Sequence, residues 1–203
     1  MIFTIELLKD KYKNYNNVYE KLMVEEKNNR LIKIKRGLYT DNINENQFLI
    51  GNILYSPSYI SFETALSFHN MIPERVVAIR SATFKKNKSK TYRTKVGLFC
   101  YQDINQNAYP YGIDIIKLDG EDILIASKEK ALTDMLSVIP KRKDLNEMHE
   151  LLFDDLRINE YVFDELDFKL LSDLCDLYQS YNLKLLKSYI RSFLWLAITS
   201  EKS

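Results

Sequence analysis

Two prolines, Pro57 and Pro73, bracket the stretch that most constrains this chain, PSYISFETALSFHNMIPE at 57–74. Pro57 cannot sit inside a helix and biases Ser56 towards an extended shape. Tyr59 and Ile60 suit a short extended run. Ser61 is a good N-cap, its hydroxyl able to accept from an orphan N–H of the first turn. Glu63 sits where the helix dipole favours an anion. Thr64 takes the place where Glu or Gln would complete a capping box. Phe62, Ala65, Leu66 and His69 follow at helical spacing. Asn70 suits the left-handed residue that ends a helix, and Pro73 prevents continuation. The expectation is a short buried helix between extended segments, a structural feature that names no function.

The 203 residues are enough for one large domain or two small ones, and 46% apolar content supports a core. The net charge of +1 hides a partition. Residues 1–143 carry 23 basic and 16 acidic side chains, 144–176 carry 2 and 11, and the remainder returns to +3. This asymmetry suggests a nucleic-acid-facing front, the alternative being that the acidic segment is the wet face of helices. Cys100 and Cys175 match no metal spacing. With no apolar leader after Met1, a reduced cytoplasmic setting is expected. Phe193–Ile198 is far shorter than the ~20 residues of a membrane span.

Residues 3–12 pattern as a helix capped by Thr4, and Lys13–Asn17 as a polar turn. A second helix runs from Val18 to Lys27, its inner stripe Val18, Leu22 and either Met23 or Glu26. Leu31–Ile34 and Gly37–Tyr39 read as two short strands turning at Gly37. Helix, tight turn, helix and basic hairpin form the tail of a winged helix-turn-helix. The second helix would enter the major groove by Asn16, Asn17, Tyr19, Glu20 and Lys21. Asn can pair with adenine, while Tyr and Lys commonly bind phosphate. Arg30, Lys33, Lys35 and Arg36 would place the hairpin on the backbone. Residues 1–40 hold 9 basic and 5 acidic groups, consistent with a phosphate footprint. A helix before these two, usual in the full motif, has no residues here. A small α/β cap with no DNA role is the plainer alternative.

A polar turn and a helix about Phe48–Leu54 lead into the 57–74 stretch, and Val76–Arg80 reads as a strand. Residues 80–95 then hold seven basic side chains and no acid, with Phe84 and Tyr92 interleaved. Arg80, Lys85, Lys86, Lys88, Lys90 and Arg93 are the candidates for phosphate binding on a flexible loop or hairpin. Val96–Tyr101 is a strand. Asp119-Gly120 turns a hairpin of Ile113–Leu118 with Asp122–Ala126. Ser127 caps a helix over Lys128–Val138, with Lys130 and Asp134 as i, i+4 partners worth roughly a few tenths of a kcal/mol. From Leu145 the spacing is helical, in three or four segments interrupted at Arg157–Tyr161 and Gln179–Asn182.

Nothing assembles a catalytic centre. His69 reads as a satisfied core histidine. His149-Glu150 begins like a zinc-protease helix, but Phe153 occupies the second histidine's place. No glycine-rich phosphate loop or nucleophile elbow occurs. Asp114, Asp119, Glu121, Asp122, Lys128 and Glu129 could suggest a metal-dependent nuclease, but hairpin acids beside a helix start are an ordinary arrangement. No cofactor, metal or catalytic residue is expected.

Three strings, RGLYT at 36–40, PSYISFETALSFHNMIPE at 57–74 and IASKEKALTDML at 125–136, together resemble the AbiEi family. These are antitoxins of abortive-infection (type IV) toxin–antitoxin systems in phage defence. Asn70 and Lys128 stand where the family has Gly and Pro. The resemblance implies an α+β chain: a truncated N-terminal winged helix-turn-helix at 1–42, then an antitoxin domain at 43–203. That domain would combine a mixed α/β region with a C-terminal set of packed helices. It further implies repression of the protein's own operon through inverted repeats in double-stranded promoter DNA. Two copies of a monomer or weak dimer would meet on that DNA. A nucleotidyltransferase-like toxin is the other implied partner. A contact-only antitoxin that binds no DNA is the alternative.

Overall fold

A computed structural model describes the backbone of residues 1–200 and the side chains of residues 1–192. The side chains of the apolar stretch Phe193–Ile198 lie outside the described residues. The fold is α+β, with a three-stranded and a six-stranded sheet among the described residues.

The chain opens with β1 (Ile2–Thr4), not with the helix expected from residue 3. Backbone pairing with β3 (Leu38–Thr40) claims Ile2–Thr4, so α1 spans only Ile5–Lys11. Thr4 caps it, accepting from Leu7 N at 3.4 Å. α2 (Val18–Lys27) follows the polar turn, and Asn17 accepts from Tyr19 N and Glu20 N. Leu22 and Glu25 are its buried residues, whereas Met23 is exposed. β2 (Ile32–Lys35) and β3 form the expected hairpin, giving the order β1-β3-β2.

Alternation gives this small sheet two apolar faces. Phe3 and Tyr39 pack with Leu8, Leu22 and Leu31 of the helical side. Ile2, Ile32, Ile34 and Leu38 join the main core instead. The expected boundary at 42/43 therefore falls in a loop across which apolar packing is continuous.

α3 (Gln47–Leu54) is capped by Asn46 and lies on one face of the large sheet. The order there is β6-β7-β5-β4-β9-β8, where β4 is Ser58–Ile60, β5 Ala78–Thr83, β6 Lys90–Thr94, β7 Gly97–Asp103, β8 Ile113–Leu118 and β9 Glu121–Ala126. β5 runs parallel to β7, and β6 pairs antiparallel with the other side of β7. The expected strand at 76–80 thus forms two to three residues later. The expected basic loop or hairpin is instead an inner strand, a turn and an edge strand, β5 and β6 pairing with β7 rather than with each other. Asp119 (φ 54) and Gly120 (φ 84) turn the β8–β9 hairpin as the sequence requires.

On the opposite sheet face lie α4 (Phe62–Phe68) and α5 (Lys128–Val138), followed by the C-terminal helices. These are α6 (Leu145–Glu150), a π-helical turn at Leu151–Asp155, α7 (Glu160–Asp164), α8 (Phe168–Asp176) and α9 (Tyr181–Ser200). Asn70 takes the left-handed conformation (φ 57) expected after α4. Ser61 departs from expectation: its hydroxyl makes no cap hydrogen bond and donates to Asp134 Oδ2 at 2.7 Å.

Asp134 is the second departure. Its carboxylate also accepts from the hydroxyls of Tyr59 (2.8 Å) and Tyr178. Lys130 lies 3.2 Å from Asp134 Oδ1 and donates to Ala108 O at 2.7 Å and Tyr178 Oη at 2.6 Å. Both charged side chains are fully buried. The expected i, i+4 pair forms, but as part of a core network joining β4, α5, the 104–112 loop and the end of α8. Burial of that kind is tolerated because every charge has partners.

Candidate nucleic-acid interface

The N-terminal candidates divide by what already holds them. Asn17 spends its Oδ1 on the α2 cap, while Asn16 is exposed. Tyr19 is exposed, with Lys9 Nζ 5.6 Å from its ring centroid. Lys21 lies 2.6 Å from Glu25 Oε1, and Arg30 Nε 3.5 Å from Oε2. The Glu25 hydrogen bond raises the Lys21 ammonium above its ordinary pKa. On α2 itself three glutamates face two lysines, so this helix is not a basic surface.

The hairpin is different. Lys33 and Arg36 are exposed and have no side-chain partner among the described residues. The bulge between Lys33 and Lys35 turns Lys35 inward. Its ammonium donates to Leu54 O at 2.5 Å, and burial together with the nearby Lys86 lowers its pKa.

The 80–95 run is partly consumed and partly free. Arg80 is held by Glu63, Nη1 to Oε2 2.6 Å, with its guanidinium carbon 4.6 Å from the Phe62 ring centroid. Glu63 therefore serves an ion pair as well as the α4 dipole. Lys86 Nζ donates to Ser56 O at 2.8 Å and lies 4.9 Å from the Tyr55 ring centroid. Lys35 and Lys86, one from each basic stretch, thus hold the carbonyls on either side of Tyr55. The turn between β5 and β6 is not a loose loop. Asp103 accepts from Thr83 Oγ1 (2.9 Å), Lys86 N (3.1 Å) and Asn87 N (2.8 Å). Lys85 lies over Phe84 and Lys90 over Tyr92, at 5.0 and 5.5 Å from the centroids. Lys88 and Arg93 are exposed without a side-chain partner among the described residues.

β2 lies beside β6. Lys33 and Arg36 of the β2–β3 hairpin thereby lie near β6, on which alternation sets Lys90 with Tyr92 on one face and Arg93 on the other. Lys95, omitted from the candidates, belongs to the same exposed edge. Its place in the seven-cation run was the signal available.

Other titratable groups are occupied or scattered. His69 Nε2 donates to Ala126 O at 2.7 Å, and His149 Nδ1 meets Tyr189 Oη at 2.8 Å. Glu129 accepts from Ser127 Oγ and Asp167 N, and Asp122 lies 3.9 Å from Lys117. Among the described residues no group of three or more His, Cys, Asp or Glu could hold a metal ion. Both cysteines are free, and burial raises the Cys175 thiol to about 12. No helix among the described residues is long and apolar enough to cross a membrane. The sequence matches no protein-family model and no curated protein.

Proposed function

We propose that this chain is a DNA-binding antitoxin of the AbiEi kind. It represses its own operon through inverted repeats in the promoter and counteracts a nucleotidyltransferase-like toxin. The observation that carries this reading is the meeting of two basic stretches, Lys33–Arg36 and Lys88–Arg93, on neighbouring strands. Five exposed cations on and beside these two strands supply the charge for tracking phosphates. The N-terminal order strand–helix–helix–strand–strand, with β1 beside β3, supports a winged helix-turn-helix whose wing is the β2–β3 hairpin. The protein works in the cytoplasm without cofactor or catalysis, two copies meeting on DNA.

Fluorescence anisotropy with the chain's own upstream DNA tests this. Affinity falls linearly in log–log with salt, and Lys33→Ala, Arg36→Ala, Lys90→Ala and Arg93→Ala each flatten the slope by about one. Absence of binding at low salt overturns the DNA half.

One observation favours the contact-only alternative. Glu25 takes both Lys21 and Arg30, leaving α2 short of free cations. Under that reading the acidic 144–176 segment meets a basic toxin surface. Co-purification with the toxin that weakens as salt rises, alongside no DNA binding, would select it.

A further inference from the structure

A polar cleft lies between the end of α4 and the π-helical turn. It measures about 550 Å³, within the range of small-molecule sites. Asn70, Glu74, Arg75, Phe153, Arg157 and Asn159 line it. Two unusual backbone features meet there, beside the ordinary left-handed end of α4 at Asn70. Arg157 is left-handed, at φ 53, and Phe153 sits in the π-helical turn. Such irregularities concentrate at functional sites, and a left-handed arginine is held at a cost.

The unused hydrogen-bonding groups define what fits. Arg75 is exposed and has no side-chain partner among the described residues. Arg157 gives Nη1 to Glu74 Oε1 at 2.8 Å and keeps its other N–H groups. Asn159 Oδ1 accepts from Tyr161 N and Val162 N, so its amide N–H pair remains to donate. The Asn70 amide has both a donor and an acceptor to offer.

We propose that this cleft binds a nucleoside phosphate. Guanidinium forks match phosphate oxygens, which assigns the phosphate to Arg75 and Arg157. The half-buried Phe153 ring, already packed against His149 and Phe163, supplies the apolar contact for the base where it lines the cleft. The two asparagine amides meet the base edge, and the Glu74 carboxylate accepts from a ribose hydroxyl. None of these residues belongs to β2, β6 or the turn before β6, so this site is independent of the DNA reading.

Isothermal titration of the full chain with AMP, GMP, CMP, UMP and inorganic phosphate tests the assignment. At least one nucleotide binds saturably and about tenfold tighter than phosphate, the difference being the apolar contact of the base. Arg75→Ala weakens nucleotide and phosphate alike by about tenfold. Phe153→Leu weakens the nucleotides alone. A paired Lys90→Ala, Arg93→Ala variant leaves binding unchanged. No saturation below about 10 mM overturns the proposal. So does binding that ignores Arg75→Ala or disappears with the Lys90 and Arg93 substitutions. Because Arg75 is exposed, its arm remains decisive even if Phe153→Leu does not fold.

Discussion

Lys130 and Asp134 sit one helical turn apart on α5, Nζ 3.2 Å from Oδ1, with neither side chain in contact with water. Each has further partners: Lys130 the Ala108 carbonyl, and Asp134 the hydroxyls of Tyr59, Ser61 and Tyr178. Removing one charge strands the other in the core. Asp134→Ala is therefore expected to cost about 3–5 kcal/mol, read as a lower urea midpoint with unchanged slope. A paired Lys130→Met, Asp134→Leu variant recovers part of that loss. A cost below about 1 kcal/mol for Asp134→Ala would contradict the buried network.

The same core sets the alkaline limit of stability. Burial raises the phenol pKa of Tyr59, Tyr101 and Tyr178, with the Asp134 charge adding at Tyr59 and Tyr178. Tyr109 is raised to about 12, again chiefly by burial. Between the ordinary tyrosine value near 10 and these higher values, the unfolded chain has released protons that the folded chain retains. Stability therefore falls as pH rises above about 10. Lys130 opposes this, since burial lowers its pKa and stability gained from its neutralisation rises with pH up to its ordinary value. Four tyrosines outweigh one lysine. Urea midpoints from pH 8 to about 12, followed with tyrosinate absorbance, should show the descent. A flat profile would refute it.

Gly51 marks the closest approach of α3 to the sheet. A Cβ there would lie 2.7 Å from Ile60 Cδ1 and 2.9 Å from Ile79 Cγ2. Both isoleucines are buried, so neither has free space to move into. Helix propensity favours Gly51→Ala by about 1 kcal/mol, while overpacking opposes it by about 1–3 kcal/mol. Net destabilisation is expected, and a raised melting temperature would show that the layer yields.

Sequence revealed the features decided within a few residues. Thr4 and Ser127 cap the helices they precede, Gly37 and Gly120 turn their hairpins, and Asn70 ends α4. What escaped depends on partners far along the chain. β1 exists because Leu38–Thr40 pairs with it, and Ser61 abandons its cap for Asp134. Lys130 and Asp134 read as a weak ion pair at helical spacing. Yet buried residues continue from Glu129 through Leu136, all the way round the helix. Within the candidate interface, the basic residues could be named from sequence. Which of them stay free could not, because Glu63, Leu54 and Ser56 hold Arg80, Lys35 and Lys86. The turn expected to be flexible is tied at three points to Asp103, which lies outside the basic run.

The small sheet, apolar on both faces, acts as a rivet between the two ends of the molecule. Its helical side and its α3 side each draw on alternate residues of the same strands. The amino-terminal unit is thereby packed onto the main core, and the place of β2 beside β6 is set by that packing. The spacing between the cations of the two strands is thus decided by apolar residues that never meet a ligand.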